Sequence, residues 1–429
     1  MACDCFRNGL WRKWFRAVVI LIYIGVFLGL LPVVIWQMIE HDSLSASRRI
    51  GFFIAAVFVL LTIPLALWDI GFHLYHYTMP QLQKYVIRIL WMVPVYSACS
   101  WIGLRFDAAR VYMESIVGLY EAFTVYSFMC YLSQYLVLEY DIIAVLEDKD
   151  QVKHFFPFCY LEKWKMGREM WQLCRFGVYQ YVVVNLVLTI ISFICELAGK
   201  YEEGTLSLTN SWLYICFVTN VSQIWAIYCL VLFYKATKKE LAPIRPFWKF
   251  LLIKAVVFFS FWQSVALAVL QGVGAMKAIA PKKDDPDSGW TSSQIQELLI
   301  CIEMFIAGIA HHYVFSYRPY VDLAAERPPC CTSFWRMFDV RDIHDETLEH
   351  AYKWQKLMKR QRSETKEGIE MSERAPLIGG QSKPANATNS EREASSSSSS
   401  SSSRRDEEQN FYQEAQPEII ESNEIIESS

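Results

Sequence analysis

The sequence predicts an all-α, polytopic membrane helix bundle with a seven-helix core, an additional N-terminal helix and a disordered C-terminal tail. Hydrophobic residues make up 53% of the 429-residue chain, and up to about Phe315 they form long runs separated by short charged bridges. A helix needs about 20 apolar residues to cross the hydrocarbon core of a bilayer. Runs of this length favour membrane spans over the soluble domains that the chain length alone would allow.

Eight runs are interpreted as spans. Five of them contain a long apolar stretch without Asp, Glu, Lys or Arg. The other three contain Pro94, Glu114 and Glu121, or Glu303, and a re-entrant or interfacial helix is the alternative for each. The predicted spans cover residues 17–38, 50–68, 89–104, 112–138, 176–197, 212–234, 255–276 and 295–315.

The distribution of basic residues predicts the topology. Residues 1–16 contain four Lys or Arg residues, and the bridge from Lys235 to Lys249 contains five. Cytoplasmic loops are enriched in Lys and Arg, so both segments are predicted to be cytosolic. Eight spans place them on the same side, together with the C-terminal tail. The first run is too long for a cleaved signal peptide and is interpreted as a signal anchor.

The predicted bundle covers residues 17–317. The segment that follows it has a different composition. Residues 318–362 are predicted to be a juxtamembrane segment in which Val340–Arg362 forms either an amphipathic helix on the cytosolic leaflet or a solvated coil. Residues 363–429 include nine consecutive serines, Ser395–Ser403, and an acidic end. Such a composition cannot bury a core and predicts disorder.

Short motifs in the tail predict how the protein is sorted between membranes and where it is lipidated. Glu373, Leu377 and Ile378 fit the acidic-dileucine pattern that sorting adaptors bind. This favours endosome or lysosome traffic over a plain plasma-membrane address. Cys330 and Cys331 are candidate palmitoylation sites, with ordinary free thiols as the alternative.

Polar residues recur on one face of several predicted spans. Asn185, Thr189 and Ser192 lie at helical spacing on the fifth run, and further polar residues interrupt the sixth and seventh. Such faces point at other helices or at a wet cavity. The alternatives are interhelical hydrogen bonds, worth about 0.6 kcal/mol each, and a partly hydrated pocket. The candidate solute-binding or conduit residues are Glu121, Glu303, Asn185, Thr189, Ser192, Asn220, Gln223 and Ser264.

The carboxylates decide between these alternatives. A charge at the centre of a membrane helix costs about 2.5–3.5 kcal/mol even on the lower scales. Hydrogen bonds that only hold helices together can be made by uncharged Asn, Ser and Thr. A carboxylate that carries this cost is better explained by a binding site. Glu121 and Glu303 are therefore the leading candidates for a pocket or conduit.

Four histidines raise the question of a metal. His73, His76, His311 and His312 fall on the predicted cytosolic side, where they could bind zinc or lie among the lipid headgroups. The chain has no HExxH motif. We therefore predict no metal, no cofactor and no enzymatic activity. An intramembrane zinc hydrolase is kept as a second alternative.

Four segments carry a resemblance to a known family: Ile87–Ser97, Tyr120–Phe128, Glu147–Cys159 and Cys301–Tyr320. They resemble the transmembrane protein 184 family, which is related to the alpha subunit of the organic solute transporter. The likeness covers roughly residues 10–345. It implies a helical bundle with a seven-helix core, related to subunits that move sterol- and bile-acid-like solutes, in which the first run is an extra helix.

The resemblance also implies site residues and a partner. The carboxylates that match are Glu121 and Glu303, and the solute transporter relatives use a small single-span subunit. Relatives often carry a cysteine cluster after the fourth span, where this chain has only Cys159. Lipid anchoring of that loop is therefore not predicted.

The predicted function is a transporter-like protein that binds amphipathic organic solutes or facilitates their movement. Facilitated movement is favoured over pumping because the chain has no nucleotide-binding GxxxxGK[ST] motif. The expected partners are membrane lipids, the solute, sorting adaptors, and a single-span subunit or a second copy; nucleic acid is not expected. The alternative is a seven-helix receptor or signalling scaffold, against which stands the absence of Asp-Arg-Tyr and NPxxY motifs.

Overall fold

The computed structural model describes residues 46–156, 158–160, 163–199, 211–272 and 292–321, together with isolated positions between 17 and 35. The described part is helical and contains no strand, which confirms the all-α prediction. Its α-helices are α1 (Ala46–Tyr75), α2 (Pro80–Leu90), α3 (Met92–Arg105), α4 (Arg110–Glu139), α5 (Ile142–Glu147), α6 (Arg168–Leu197), α7 (Ser211–Ala236), α8 (Pro246–Gly272) and α9 (Ser292–Val314).

Seven of the described helical segments are long and apolar enough to cross a membrane. They are α1, the α2–α3 pair, α4, α6, α7, α8 and α9, which confirms the multi-pass bundle with its seven-helix core. The predicted first span is described only at isolated positions. The tail beyond Val321 lies outside the described residues, so its predicted disorder, sorting motif and lipidation sites stay predictions.

The second core span begins at Pro80, well before the predicted start at Ile89. The span is interrupted at Trp91, which separates α2 from α3. The interruption follows from Pro94, because proline has no N–H with which to bind the carbonyl group of Leu90, four residues earlier. The two helices together span 26 residues and are the most buried segment of the bundle.

The predicted start of this span was too late because α2 contains polar residues. The Gln83 side chain donates to the carbonyl oxygen of His76 at 2.8 Å. Arg88 is 3% exposed, and its guanidinium carbon lies over the rings of Tyr85 and Phe123, 5.3 and 5.5 Å from their centroids. Because these groups have partners inside the protein, a helix that looks too polar for a span is buried at eight of its eleven positions.

The helices pack unequally around the core. α4 contacts α2, α3 and α6; α6 packs along α7; and α9 contacts α1, α3 and α8. α8 is the least buried span. It turns Ile253 and Val256 inward and exposes Phe258, Phe261 and Trp262 on its outer side. Exposed apolar faces of this kind suit contact with lipid.

An ion pair outside the spans joins the loop after α5 to the end of α7. The Lys149 ammonium donates to Glu240 Oε2 at 2.6 Å and to the carbonyl oxygen of Ala236 at 2.9 Å. Partial burial alone would raise the pKa of the Glu240 carboxyl, but the hydrogen bond and charge of Lys149 outweigh it and hold the pKa below the ordinary value.

The lowered pKa of Glu240 gives a pH-dependent prediction. A depressed carboxyl pKa stabilises the folded state above the unfolded-state pKa, and this contribution is lost as pH falls through the folded-state value. Glu240→Gln should therefore lower the apparent melting temperature at pH 7, with the difference from the native protein vanishing in acid. Thermal unfolding in detergent across this pH range measures it. A difference that is constant with pH would contradict the assignment.

Candidate functional site

A cavity of about 1070 Å³ opens at one end of the bundle. It lies where the α1–α2 turn, the C-terminal ends of α4 and α9, and the α7–α8 turn meet. Ligand sites commonly have volumes of about 300–1,000 Å³ and predominantly apolar walls with a few placed polar groups. Prominent lining residues are Tyr131, Tyr135, Arg245, Trp248, Lys249 and Tyr320.

The cavity contains an ammonium group without a counter-ion. Lys249 is partly buried, and its Nζ donates to Tyr131 Oη at 2.9 Å. The same nitrogen lies 4.9 Å from the Tyr131 ring centroid and 5.9 Å from that of Phe315. Among the described residues no carboxylate pairs with it. A partly desolvated cation in this position is complementary to an anion.

Arg245 adds a second positive charge at the rim. It is exposed and has φ 47° and ψ 55°, a left-handed conformation that is uncommon outside glycine. Glu139 is the acidic residue of the lining, against Arg245 and Lys249. The side chains of the cavity therefore carry a net positive charge, and one of the two cations is held by a strained backbone, as is frequent at functional sites.

Glu121 lies in a second polar cluster, deeper in the bundle. Its Oε1 accepts from Lys254 Nζ at 2.6 Å and from Gln223 Nε2 at 2.8 Å, so the cluster joins α4, α7 and α8. The side chains of Glu121 and Lys254 are only 10% and 14% exposed. The carboxylate is compensated by a neighbouring ammonium, whereas the sequence reading expected a hydrated hollow.

Glu303 occupies a third position, between α9 and α8. Its Oε1 accepts a hydrogen bond from Gln263 Nε2. Glu303 Oε2 and Gln263 Oε1 are both buried without a hydrogen-bond partner among the described residues. This site is separate from the Glu121 cluster, so the two acidic residues predicted to share a pocket have different partners.

The remaining predicted site residues are distributed around the bundle. Asn185 is buried and donates to the carbonyl oxygen of Gly118 at 2.9 Å, and Ser192 is buried as well. Thr189 is partly buried, while Asn220 and Ser264 are exposed. None of the eight predicted residues lines the 1070 Å³ cavity.

The histidines of the α1–α9 seam bind protein groups. His73 Nε2 donates to the carbonyl oxygen of Phe315 at 2.8 Å, and His311 Nδ1 donates to that of Ala307 at 2.7 Å. Both residues are 1% exposed. The His73 bond joins α1 to the residue that follows α9, whereas the His311 bond lies within α9 itself. Both are structural roles.

The other two predicted metal ligands also have partners. His312 Nδ1 lies 2.6 Å from Asp69 Oδ1, and His76 Nδ1 lies 3.2 Å from the carbonyl oxygen of Phe72. Within the described part of the chain, no three His, Cys, Asp or Glu residues are grouped so that they could hold a metal ion. The geometry therefore gives the zinc-hydrolase alternative no support.

The residues that sequence reasoning missed are basic or neutral partners. Lys254 lies immediately before the predicted seventh span, and Lys249 was used only as a marker of topology. Gln263 lies inside that span. A lysine one or two turns inside a transmembrane helix is a signal for a paired carboxylate, and it could have linked Lys254 to Glu121.

The fold and these sites define a polytopic helical membrane protein with a ligand-sized, positively charged cavity. The model of the family described as "Organic solute transporter Ostalpha" matches residues 51–320, more than half of the chain. The chain belongs to this family. The matched region contains all seven described spans except the first residues of α1.

Two relatives from Arabidopsis thaliana are "Protein LAZ1 homolog 1" and "Protein LAZ1". Each is 35% identical to this chain, over 283 and 285 residues respectively and over 62% of this chain. The alignments cover 57% and 58% of the relatives, so the chain spans less than two thirds of their length. Both belong to the transmembrane protein 184 family, which confirms the resemblance. No solved structure matches the chain.

Proposed function

We propose that the protein facilitates the movement of amphipathic organic solutes, with sterol- and bile-acid-like anions as the class, and that the cavity around Lys249 is where the solute binds. The observation that carries the proposal is the unpaired ammonium of Lys249 within a solute-sized, aromatic-walled space. Membership of a solute transporter family supports the same conclusion.

The lining suits both parts of such a solute. Rings of Tyr131, Tyr135 and Trp248 offer apolar faces to a rigid hydrocarbon body. Lys249 and Arg245 offer charge-assisted hydrogen bonds to a carboxylate or sulfate. A neutral sterol would fill the same walls but leave the Lys249 ammonium without a counter-ion.

A second polar group lies further along α8. Lys254 follows Lys249 by five residues, which corresponds to about 7.5 Å along the helix and a turn of about 140° around it. Neither Lys254 nor its partner Glu121 lines the cavity. The Lys254–Glu121 pair is therefore not part of the proposed binding site around Lys249.

Flux into proteoliposomes tests the proposal. We expect saturable uptake of an anionic sterol conjugate by the native protein and weaker uptake of the uncharged sterol. Loss of a charged hydrogen bond costs about 1.5–3 kcal/mol, so Lys249→Met should raise the half-saturating concentration about 10- to 100-fold. Lys238→Met, at an exposed position outside the cavity lining, is the matched control. Absence of flux through folded native protein, or unchanged uptake in Lys249→Met, would refute the proposal.

The compartment and the macromolecular partners belong to the same proposal. Adaptors would bind Glu373, Leu377 and Ile378 and direct the protein to endosomes or lysosomes, with both termini in the cytosol. The cavity then opens toward the cytosol, because its α7–α8 turn belongs to the basic bridge. A single-span subunit or a second copy would complete the transporter in the membrane.

A further inference from the structure

The contact between Glu303 and Gln263 is chemically incomplete if Glu303 is ionised. Gln263 Nε2 donates to Glu303 Oε1, which is one of the two interactions that a carboxyl and a carboxamide can form. The other two oxygens, Glu303 Oε2 and Gln263 Oε1, are both buried, and neither has a partner among the described residues. Two acceptors without donors, on two side chains already in contact, leave two buried groups unsatisfied.

One proton on Glu303 gives both of these oxygens a hydrogen-bond partner. We propose that Glu303 binds a proton and forms a cyclic carboxylic acid–carboxamide pair with Gln263 across the α8–α9 seam. In this pair Glu303 Oε2 carries the hydrogen and donates it to Gln263 Oε1, while Gln263 Nε2 continues to donate to Glu303 Oε1. The ring of two hydrogen bonds has one donor and one acceptor on each side chain, and no bond other than the O–H bond is formed.

The charges around Glu303 favour the neutral form. On α8, Lys254 lies nine residues from Gln263, about 13.5 Å along the helix. On α9 itself, Glu297 and His311 lie about 9 and 12 Å away along the axis. No cation is therefore within the range of a direct pair on either of these two helices.

The two other helices that pack against α9 are α1 and α3. α1 meets this level of α9 with an aromatic contact, Phe58 against Phe305 at 5.7 Å between ring centroids. Of the described titratable side chains of α1, Arg49 lies toward the start of the helix, nine residues or about 13.5 Å along the axis from Phe58, and Tyr75 lies at its end. Asp69 and His73 have their own partners near the end of α9. α3 contributes the uncharged residues Tyr96 and Cys99 near this depth.

An ionised Glu303 would be an unpaired charge inside a membrane bundle, which costs at least about 2.5–3.5 kcal/mol. Glu121 avoids that cost with Lys254. Glu303 has a carboxamide as its partner and avoids the cost by holding its proton. Glu121 is thus an ionised carboxylate paired with an ammonium, whereas Glu303 is a neutral carboxylic acid paired with a carboxamide.

Infrared spectroscopy of the full-length protein in bilayers at pH 7 tests the proposal directly. A protonated carboxyl has a carbonyl stretch above the amide I band, whereas a carboxylate absorbs below it. We expect Glu303→Gln to lose acid-carbonyl intensity equivalent to one carboxyl group per chain and to leave the carboxylate bands unchanged. Gln263→Leu should retain the acid band but shift its frequency, because the hydrogen bonds to the carboxyl are lost.

Glu169→Gln is the matched control. Glu169 is exposed at the start of α6 beside Lys165, so its substitution should remove carboxylate intensity only. Loss of carboxylate intensity in Glu303→Gln, with no change in the acid band, would overturn the proposal. Thermal unfolding adds a second readout: Glu303→Gln can form an equivalent cyclic amide pair and should keep the native melting temperature, whereas Glu303→Leu should lower it. Equal melting temperatures for the two variants would also count against the pair. Neither measurement depends on transport.

Discussion

Replacing Lys254 with methionine should lower the free energy of unfolding by about 3–5 kcal/mol, the typical cost of removing one partner of a buried ion pair. The reason is that Glu121 would keep its buried position and lose the ammonium at 2.6 Å, with Gln223 as its remaining donor. Both side chains of the pair are at least 86% buried, so solvent screening does little to soften the loss. Thermal or denaturant unfolding in a fixed lipid–detergent mixture measures it.

A double-mutant cycle separates the pair from the loss of a single side chain. Glu121→Leu alone leaves the Lys254 ammonium buried and should also destabilise the bundle. Lys254→Met combined with Glu121→Leu should recover most of the loss, because replacing both partners of a buried pair with apolar residues is often neutral. Lys238→Met, at an exposed position, should have little effect. Additive losses in the double variant would show that the two residues do not act as a pair.

The helical architecture was accessible from the sequence because membrane insertion imposes a strong and local constraint. Each span must contain enough consecutive apolar residues to cross the hydrocarbon core, so α1, α6 and α7 can be recognised without knowledge of their neighbours. The reading was least accurate where a span is buried among other helices. α2 contains Gln83 and Arg88, which only the folded bundle can satisfy.

The candidate site was less accessible because it depends on which helices meet. Periodicity predicted inward-facing polar residues on several spans. Asn185 and Ser192 are buried, but Asn220 and Ser264 are exposed. Periodicity also could not tell which groups oppose the buried residues. Lys254 lies 133 residues from Glu121, and Gln263 lies 40 residues from Glu303. No local pattern connects such pairs, so the partners that determine the charge state of each acid emerge only from the fold.

The cavity illustrates the same limit. Its lining comes from the ends of four separate segments, and the key cation, Lys249, was interpreted as a topological marker because basic residues are common at cytosolic helix ends. The structure adds the observation that Lys249 donates to Tyr131 and has no carboxylate partner among the described residues. Only the tertiary contacts of Lys249 can distinguish a lysine that marks the cytosolic end of a helix from one that binds a ligand.

Replacing Gly177 with alanine should destabilise the α6–α7 contact by about 1–3 kcal/mol, the usual range for overpacking a well-filled interior. A Cβ atom at Gly177 would clash with Cys229 Sγ and lie 3.0 Å from Cys229 Cβ and 3.2 Å from Trp225 Nε1. Cys229 is completely buried and cannot turn away into solvent. Small residues at such crossings let membrane helices approach closely, so alanine would force α6 and α7 apart.

Thermal unfolding of matched variants tests this close approach. Gly118→Ala is the control, since Gly118 is also inside a membrane helix but a Cβ there would meet nothing within 4 Å. It should be neutral or stabilising by up to about 1 kcal/mol, because alanine favours helix more than glycine does. Adding Cys229→Gly to Gly177→Ala should restore part of the lost stability by removing both clashing atoms. If Gly177→Ala behaved like Gly118→Ala, the α6–α7 distance in the membrane would have to be larger than the structure shows.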